Sequence, residues 1–312
     1  MIFSIFQLLA GIALLFFGGD WLVDGSVALA RRFRVSPLVI GLTIVGFGTS
    51  APELLVSLAA AVKHTPDIAL GNVIGSNIAN IGLVLALSAL LCPVSFAQRG
   101  LFAHWLTMLA ASLVLAAVSA GLGIVSRPVA AVFLLALAAF LVVSVLFGRR
   151  DPPSPDEPPL PLPRALFLLL LAFAALPSGA NLLVDAASDL ALALGVPQRV
   201  IGLTIVAVGT SLPELAASLA AAFKRQPDLS VGNIVGSNLF NILAILGCSA
   251  LVRPLPFPFD AYRLDLGVML LLALLLALPL LIARLARRPP VLSRPLALLL
   301  FLPYVFYVAF LF

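Results

Sequence analysis

Residues 39–81 and 200–242 are two copies of one unit, lying 161 positions apart and identical at 28 of 43 places with no gap. A duplicated unit has to find two matching environments in one fold. The kind of residue kept between the copies says what those environments hold. Gly48, Thr49, Ser50, Pro52, Glu53 and Ser57 recur as Gly209, Thr210, Ser211, Pro213, Glu214 and Ser218. Gly71, Asn72, Gly75, Ser76, Asn77 and Asn80 recur as Gly232, Asn233, Gly236, Ser237, Asn238 and Asn241. Leu, Ile, Val and Ala drift, while helix breakers and oxygen-bearing side chains stay fixed.

The solvent around these units follows from composition. With 62% hydrophobic and 10% charged residues in 312, the chain is too apolar for a water-soluble globule and reads as an all-α, polytopic membrane protein. Its first apolar segment, 2–30, lacks a basic leader and is too long for a signal sequence, so it counts as a span. Cys92 and Cys248 fall at non-equivalent places of the repeat, which argues against a disulfide framework. The charge of +5 belongs to membrane loops rather than to a nucleic-acid surface.

Hydropathy and breakers give ten transmembrane helices, at 2–30, 36–62, 66–91, 99–120, 126–147, 164–194, 197–223, 227–252, 264–286 and 293–312. They divide into a first five-helix repeat, 1–147, and a second, 164–312. Between them lies a cytoplasmic linker, 148–163, whose proline-rich sequence favours an extended connector with no domain of its own. Five spans per half is odd, so the second half crosses the bilayer in the opposite sense and the repeats are inverted. With both termini outside, thirteen of the eighteen basic residues fall in inside loops, as the positive-inside rule requires. Lys63 then faces out, and its counterpart Lys224 faces in. Helices 2, 3, 7 and 8 are expected to be broken and to form the core. Pro279 and Pro303 are expected to kink helices nine and ten.

The chemistry sits in that core. Pro52 and Pro213 cannot donate a backbone hydrogen bond, so carbonyls near Gly48 and Thr49, and their counterparts in the second half, lose helical partners at mid-membrane. Such a break is tolerated where it lines a cavity or holds a cation. Glu53 and Glu214 directly follow the two breaks. An ionised residue at a helix centre costs about 2.5 to 3.5 kcal/mol even on lenient scales, which calls for a neutralising cation or proton. Asn72, Ser76 and Asn80 stack at i, i+4 and i+8 on one helical face, and Asn233, Ser237 and Asn241 repeat them. The Gly71–Gly75 and Gly232–Gly236 spacings let a neighbouring backbone approach. An all-oxygen set suits Ca²⁺ and Na⁺, whereas zinc and copper lack ligands: His64 falls in a loop and His104 in span four.

Several polar residues have plainer readings. Asn72, Asn77, Asn233 and Asn238 can act as glue between helices. Asp67 and Asp228 follow prolines and interact with positive helix ends. Asp20, Asp24, Asn181 and Asp185 belong near the membrane interface or an access path rather than at the centre.

The motifs GTSAPE and GTSLPE, each followed by a GN-x-x-GSN segment, resemble the alpha repeats of the sodium/calcium exchanger branch of the cation/Ca²⁺ antiporter family. The short linker is similar to that of prokaryotic members. The resemblance implies that Glu53 and Glu214 hold Ca²⁺ with the carbonyls of Thr49 and Thr210. It implies Na⁺ sites built from Ser50, Ser76, Ser211 and Ser237 and the carbonyls of Gly46 and Ala207, with Asn80 and Asn241 facing the centre. Spans one and six would slide across the core. Family members well known for exchange carry an aspartate at the position of Asn241, so this chain has two carboxylates where they have three.

The expected function is therefore antiport of Na⁺ against Ca²⁺ by alternating access in a plasma (inner) membrane. It needs no cofactor, and its partners are the two ions and the lipid bilayer, without an obligate protein partner. H⁺/Ca²⁺ or K⁺-assisted exchange on the same fold is the alternative, and a cation channel is a reading from another class. No enzyme motif such as GxSxG, HExxH or a P-loop occurs, so no catalytic role is expected.

Overall fold

The computed structural model describes residues 2–97, 100–148, 160–195, 207–287 and 289–311. Among these, eight helices are long and apolar enough to cross a membrane, and a bent pair, Pro37–Thr49 and Ala51–Val62, makes a ninth span. The chain is thus a multi-pass membrane protein. The expected seventh span enters the described residues at Ala207 and continues as the apolar helix Leu212–Phe223. Its first part and most of the 148–163 linker lie outside the described residues.

Local sequence explains where the helices begin and bend. Ser36 caps the second span by accepting the Val39 N–H, with Pro37 in the first turn where its missing donor costs nothing. Pro66 and Pro227 likewise stand in the first turns of the third and eighth spans, without a side-chain cap. The second span bends by 47° around Ser50, one step before the Pro52 helix. In the third and eighth spans the irregularity takes another form. Each helix is continuous but contains a π segment, Asn80–Leu85 and Phe240–Ile245. A third π segment, Gly41–Val45, precedes the bend.

The ninth span starts at Phe259, earlier than expected, and turns at 276–277 so that Pro279 lies in the first turn of Leu278–Ala286. A proline tolerated at a helix start but not mid-helix accounts for that interruption. Pro303, and Pro177 in the sixth span, instead stay inside helices that continue past them, Arg294–Leu311 and Leu162–Ala193.

Among the described residues, four two-residue strands interrupt an otherwise helical chain. β1 (Val94–Ser95) pairs antiparallel with β4 (Val291–Leu292), and β2 (Ile124–Val125) pairs with β3 (Leu255–Pro256). A run this short carries no alternating pattern, so the sequence shows only loop edges there. β1 and β3 are related by the 161-residue repeat, and each pairs with a strand of the other half.

The third and eighth spans form the centre: 83% of each apolar window is buried, against at most 39% in the other full-length spans. Glycines set the closest approach. A Cβ on Gly232 would lie 2.5 Å from the Leu38 carbonyl oxygen, and one on Gly236 2.6 Å from that of Leu42. The second and eighth spans therefore pack backbone to backbone, as the glycine spacing predicts. The segment that would mirror this contact at Gly71 and Gly75 falls in 196–206, outside the described residues. Spans one and six run against each other at Gly11 and Gly179, where an added Cβ would come within 2.8 and 2.9 Å of the facing carbonyl.

Candidate functional site

Glu53 and Glu214 stand in the first turns of the helices that follow the two breaks, each 2% exposed. They come from opposite halves yet lie close enough to repel electrostatically. Oε2 of both remains buried with no hydrogen-bond partner.

Thr49 is the junction between halves. Its hydroxyl bonds the Val45 carbonyl and the Asn233 Oδ1, both at 3.1 Å, and lies 3.3 Å from Ser237 Oγ. Ser237 also reaches the Gly46 carbonyl at 3.4 Å. That carbonyl, implied as a Na⁺ ligand, accepts the Ser50 N–H as well, at 3.2 Å.

Asn80 and Asn241 each begin or sit within a π segment, where one extra residue per turn redirects side chains. Both cross to the opposite half. The Asn80 Nδ2 donates to Asn238 Oδ1 at 3.1 Å, and the Asn241 Nδ2 donates to Asn77 Oδ1 at 3.0 Å. Their own Oδ1 atoms are buried and unpartnered, as is Ser50 Oγ.

These orphaned oxygens are the test of whether the site fits a cation. A buried polar atom without a partner costs about 1 to 3 kcal/mol. Of the twelve such atoms among the described residues, five belong to Ser50, Glu53, Asn80, Glu214 and Asn241 of the predicted set, and all five can accept. Hard cations bound by six to eight oxygens are what such a set satisfies. Among the described residues no group of three His, Cys, Asp or Glu side chains could hold a metal ion, so a cation here would rest on two carboxylates with amide, hydroxyl and carbonyl oxygens.

The remaining predicted residues are distributed as follows. Ser76 and Ser211 are buried, with Ser211 at the cap of the Glu214 helix. Thr210 is half-buried, unlike its counterpart Thr49. Ala207 starts the described part of the seventh span. Asn72 and Asn233, read as possible helix glue, brace the glutamate helices of their own halves. Asn72 donates to Ser57 Oγ at 2.9 Å and to the Glu53 carbonyl at 3.1 Å. Asn233 donates to Ser218 Oγ at 3.1 Å and to the Glu214 carbonyl at 3.5 Å.

Asp20 and Asp24 play a part that sequence reading missed. Lys224, at the end of the Glu214 helix, lies 2.5 Å from Asp20 Oδ1 and 2.7 Å from Asp24 Oδ1 of the first span. The repeat maps Lys224 onto Lys63 and Asp24 onto Asp185, and both of those are exposed and unpaired with each other. The two halves are thus in different arrangements. Asp67 accepts a 2.7 Å hydrogen bond from the Tyr262 hydroxyl, so it does more than meet a helix end. His64 contacts Arg253 at 2.7 Å on the surface, away from the core, and the His104 ring stacks edge-on against Phe140.

The sixth span covers both breaks. A Cβ on Gly48 would run into the Phe173 ring, and one on Gly209 into Val184. Only a glycine leaves room for a neighbouring helix to seat there.

Comparison with known proteins identifies the family. The profile of the sodium/calcium exchanger protein family matches residues 3–146 and 164–312. The chain belongs to that family. It is 41% identical to the putative antiporter CaxA of Alkalimonas amylolytica, over 81% of this chain and 82% of that one. It is 32% identical to the sodium/calcium exchanger MaX1 of Methanosarcina acetivorans, over 86% and 89%. The sodium-calcium exchanger NCX_Mj soaked with 10 mM Na⁺ and zero Ca²⁺ superposes with a TM-score of 0.85, at 35% identity, over 99% of this chain and 98% of that one.

Proposed function

We propose that this exchanger-family chain is an antiporter that moves Ca²⁺ in one direction and Na⁺ in the other through the site around Glu53 and Glu214. The observation that carries the reading is the convergence of two carboxylates, from matching positions of the two halves, on a buried set of acceptor oxygens that no donor satisfies. The charge of two carboxylates is neutralised by one Ca²⁺ or by two Na⁺. The family is one of transporters, which supports transport rather than catalysis.

The ligand set is that of the twelve predicted positions: Glu53, Glu214, Thr49, Thr210, Ser50, Ser211, Ser76, Ser237, Asn80, Asn241, Gly46 and Ala207. Na⁺ and Ca²⁺ compete for the glutamates, and the empty core carries uncompensated charge. Only a loaded core lets the apolar faces of spans one and six pass, so neither ion crosses without the other returning. The inverted relation of the halves at 1–147 and 164–312, joined by the linker at 148–163, supplies two mirror-related arrangements. The ion pairs made by Lys224 and left unmade by Lys63 support that asymmetry. With ten spans and both termini outside, Lys224 closes the cytoplasmic side of an inner membrane while the outer side is released.

The test is radioactive Ca²⁺ uptake into proteoliposomes under imposed Na⁺, K⁺ or H⁺ gradients at fixed pH. An outward Na⁺ gradient alone should drive accumulation. Uptake driven equally by H⁺ in the absence of Na⁺ would refute sodium coupling, and counter-ion-independent flux would refute antiport.

A further inference from the structure

Asparagine is an ambiguous ligand, because its amide can offer a cation either an oxygen or a repelling NH₂ group. In this chain both Asn80 and Asn241 leave the oxygen free, and the reason lies two residues further out. The Asn80 NH₂ is taken up by the oxygen of Asn238, and the Asn238 NH₂ by the Met108 sulfur at 3.5 Å. The other half repeats the chain: the Asn241 NH₂ meets the oxygen of Asn77, and the Asn77 NH₂ meets the Met269 sulfur at 3.8 Å. Both methionines are 1% exposed. They are related by the same 161-residue offset as the repeat, although the helices that carry them have otherwise diverged. A thioether accepts hydrogen bonds and has no proton to donate. The group facing it must therefore be NH₂, which fixes the polarity of every amide downstream.

We propose that Met108 and Met269 are positioning residues that act through Asn238 and Asn77 to hold the oxygens of Asn80 and Asn241 toward the cation. The inference rests on the reading of this site as the Na⁺/Ca²⁺ site and adds to it two residues from helices otherwise serving as scaffold. It also bears on specificity. An aspartate at 241 accepts only, so Asn77 would have to turn its NH₂ inward and its oxygen onto the Met269 sulfur, setting two acceptors face to face. Met269 thus suits an amide at 241 and opposes a third carboxylate.

Met108→Leu and Met269→Leu test this, since leucine nearly conserves volume and deletes the acceptor. Partners behind metal ligands typically contribute about 10- to 100-fold in affinity, and a weak sulfur acceptor belongs at the low end, about tenfold. In Na⁺-loaded proteoliposomes, each variant should raise the Ca²⁺ half-saturation concentration by that factor and change the maximal rate less. Replacing the chain's three methionines, Met1 included, with norleucine deletes the sulfurs without branching, and selenomethionine keeps an acceptor. Norleucine protein should show the raised half-saturation and selenomethionine protein the parent value, which keeps the test open if a leucine variant fails to fold. Equal values for those two proteins would overturn the proposal. A second readout is one that packing alone would not move. The factor by which Asn241→Asp changes half-saturation should be lower when introduced into the Met269→Leu variant than when introduced into the parent. Equal factors would refute the polarity argument. If the parent shows no Na⁺-driven uptake, the exchanger reading itself fails and takes the proposal with it; an active parent with unaltered methionine variants sinks the proposal alone.

Discussion

Lys224→Met should loosen the first span from the Glu214 helix, and the size of the effect follows from the geometry. The Lys224 ammonium bridges Asp20 and Asp24 at 2.5 and 2.7 Å, with the lysine side chain 29% exposed and the aspartates 42% and 45%. Partly solvated pairs are screened and contribute about 0.2 to 1 kcal/mol each, so the two together give roughly 0.5 to 2 kcal/mol. At about 1.4 kcal/mol per tenfold, this is about a 2- to 30-fold shift between latched and released arrangements. Hydrogen–deuterium exchange in nanodiscs reads it as faster exchange in residues 212–223 and in the facing part of the first span. Lys63→Met is the mirror control, because Lys63 is exposed and pairs with no aspartate among the described residues, and it should leave exchange unaltered. Combining Lys224→Asp with Asp24→Lys should restore slow exchange. Unchanged exchange in Lys224→Met, or equal acceleration in Lys63→Met, would refute the latch.

Other outcomes follow from the same contacts. Burial lowers the Lys224 pKa, but the hydrogen bonds and charges of Asp20 and Asp24 outweigh it and leave a net rise. The latch therefore contributes fully below the ordinary lysine range and weakens only as pH rises through the raised value, so protection factors in 212–223, with the intrinsic pH dependence of amide exchange divided out, should be flat from pH 6 to 8 (about two units, well below a lysine's range). Asn72→Leu removes two hydrogen bonds and strands the buried Ser57 hydroxyl, costing about 1 to 3 kcal/mol in thermal unfolding and weakening Ca²⁺ half-saturation. Gly236→Ala puts a methyl 2.6 Å from the Leu42 carbonyl oxygen, where backbone cannot give, and overpacking of this kind costs about 1 to 3 kcal/mol. A melting temperature equal to the parent's would contradict that close approach.

Much of this architecture is written in the repeat. Identity concentrated in glycines, prolines and oxygen-bearing side chains marks the core, and Glu53 and Glu214 after their prolines mark its centre. What the sequence does not contain is which helix meets which. Spacing places Asn72, Ser76 and Asn80 on one face, yet Asn72 turns to its own Ser57 while Asn80 crosses to Asn238, because eight residues of α-helix turn the direction by about 80°, and the π segment that begins at Asn80 rotates the side chains after it. π segments depend on tertiary packing and leave no periodicity to read. The same holds for the two-residue ribbons, too short to alternate. Asp20 and Asp24 are visible as acids in an apolar span, but the lysine they meet lies 200 residues beyond Asp24. Met108 and Met269 do carry a signal: a matched pair at the repeat offset within helices that otherwise diverge.

The most direct test of the central claim compares Glu53→Gln, and separately Glu214→Gln, with the parent in Na⁺-driven ⁴⁵Ca²⁺ uptake. Glutamine keeps the shape and one oxygen but removes the charge that a cation neutralises. Both variants should fold, insert and show no Na⁺-dependent accumulation of Ca²⁺. Uptake at the parent rate by either one would mean that the two buried carboxylates do not hold the transported ion.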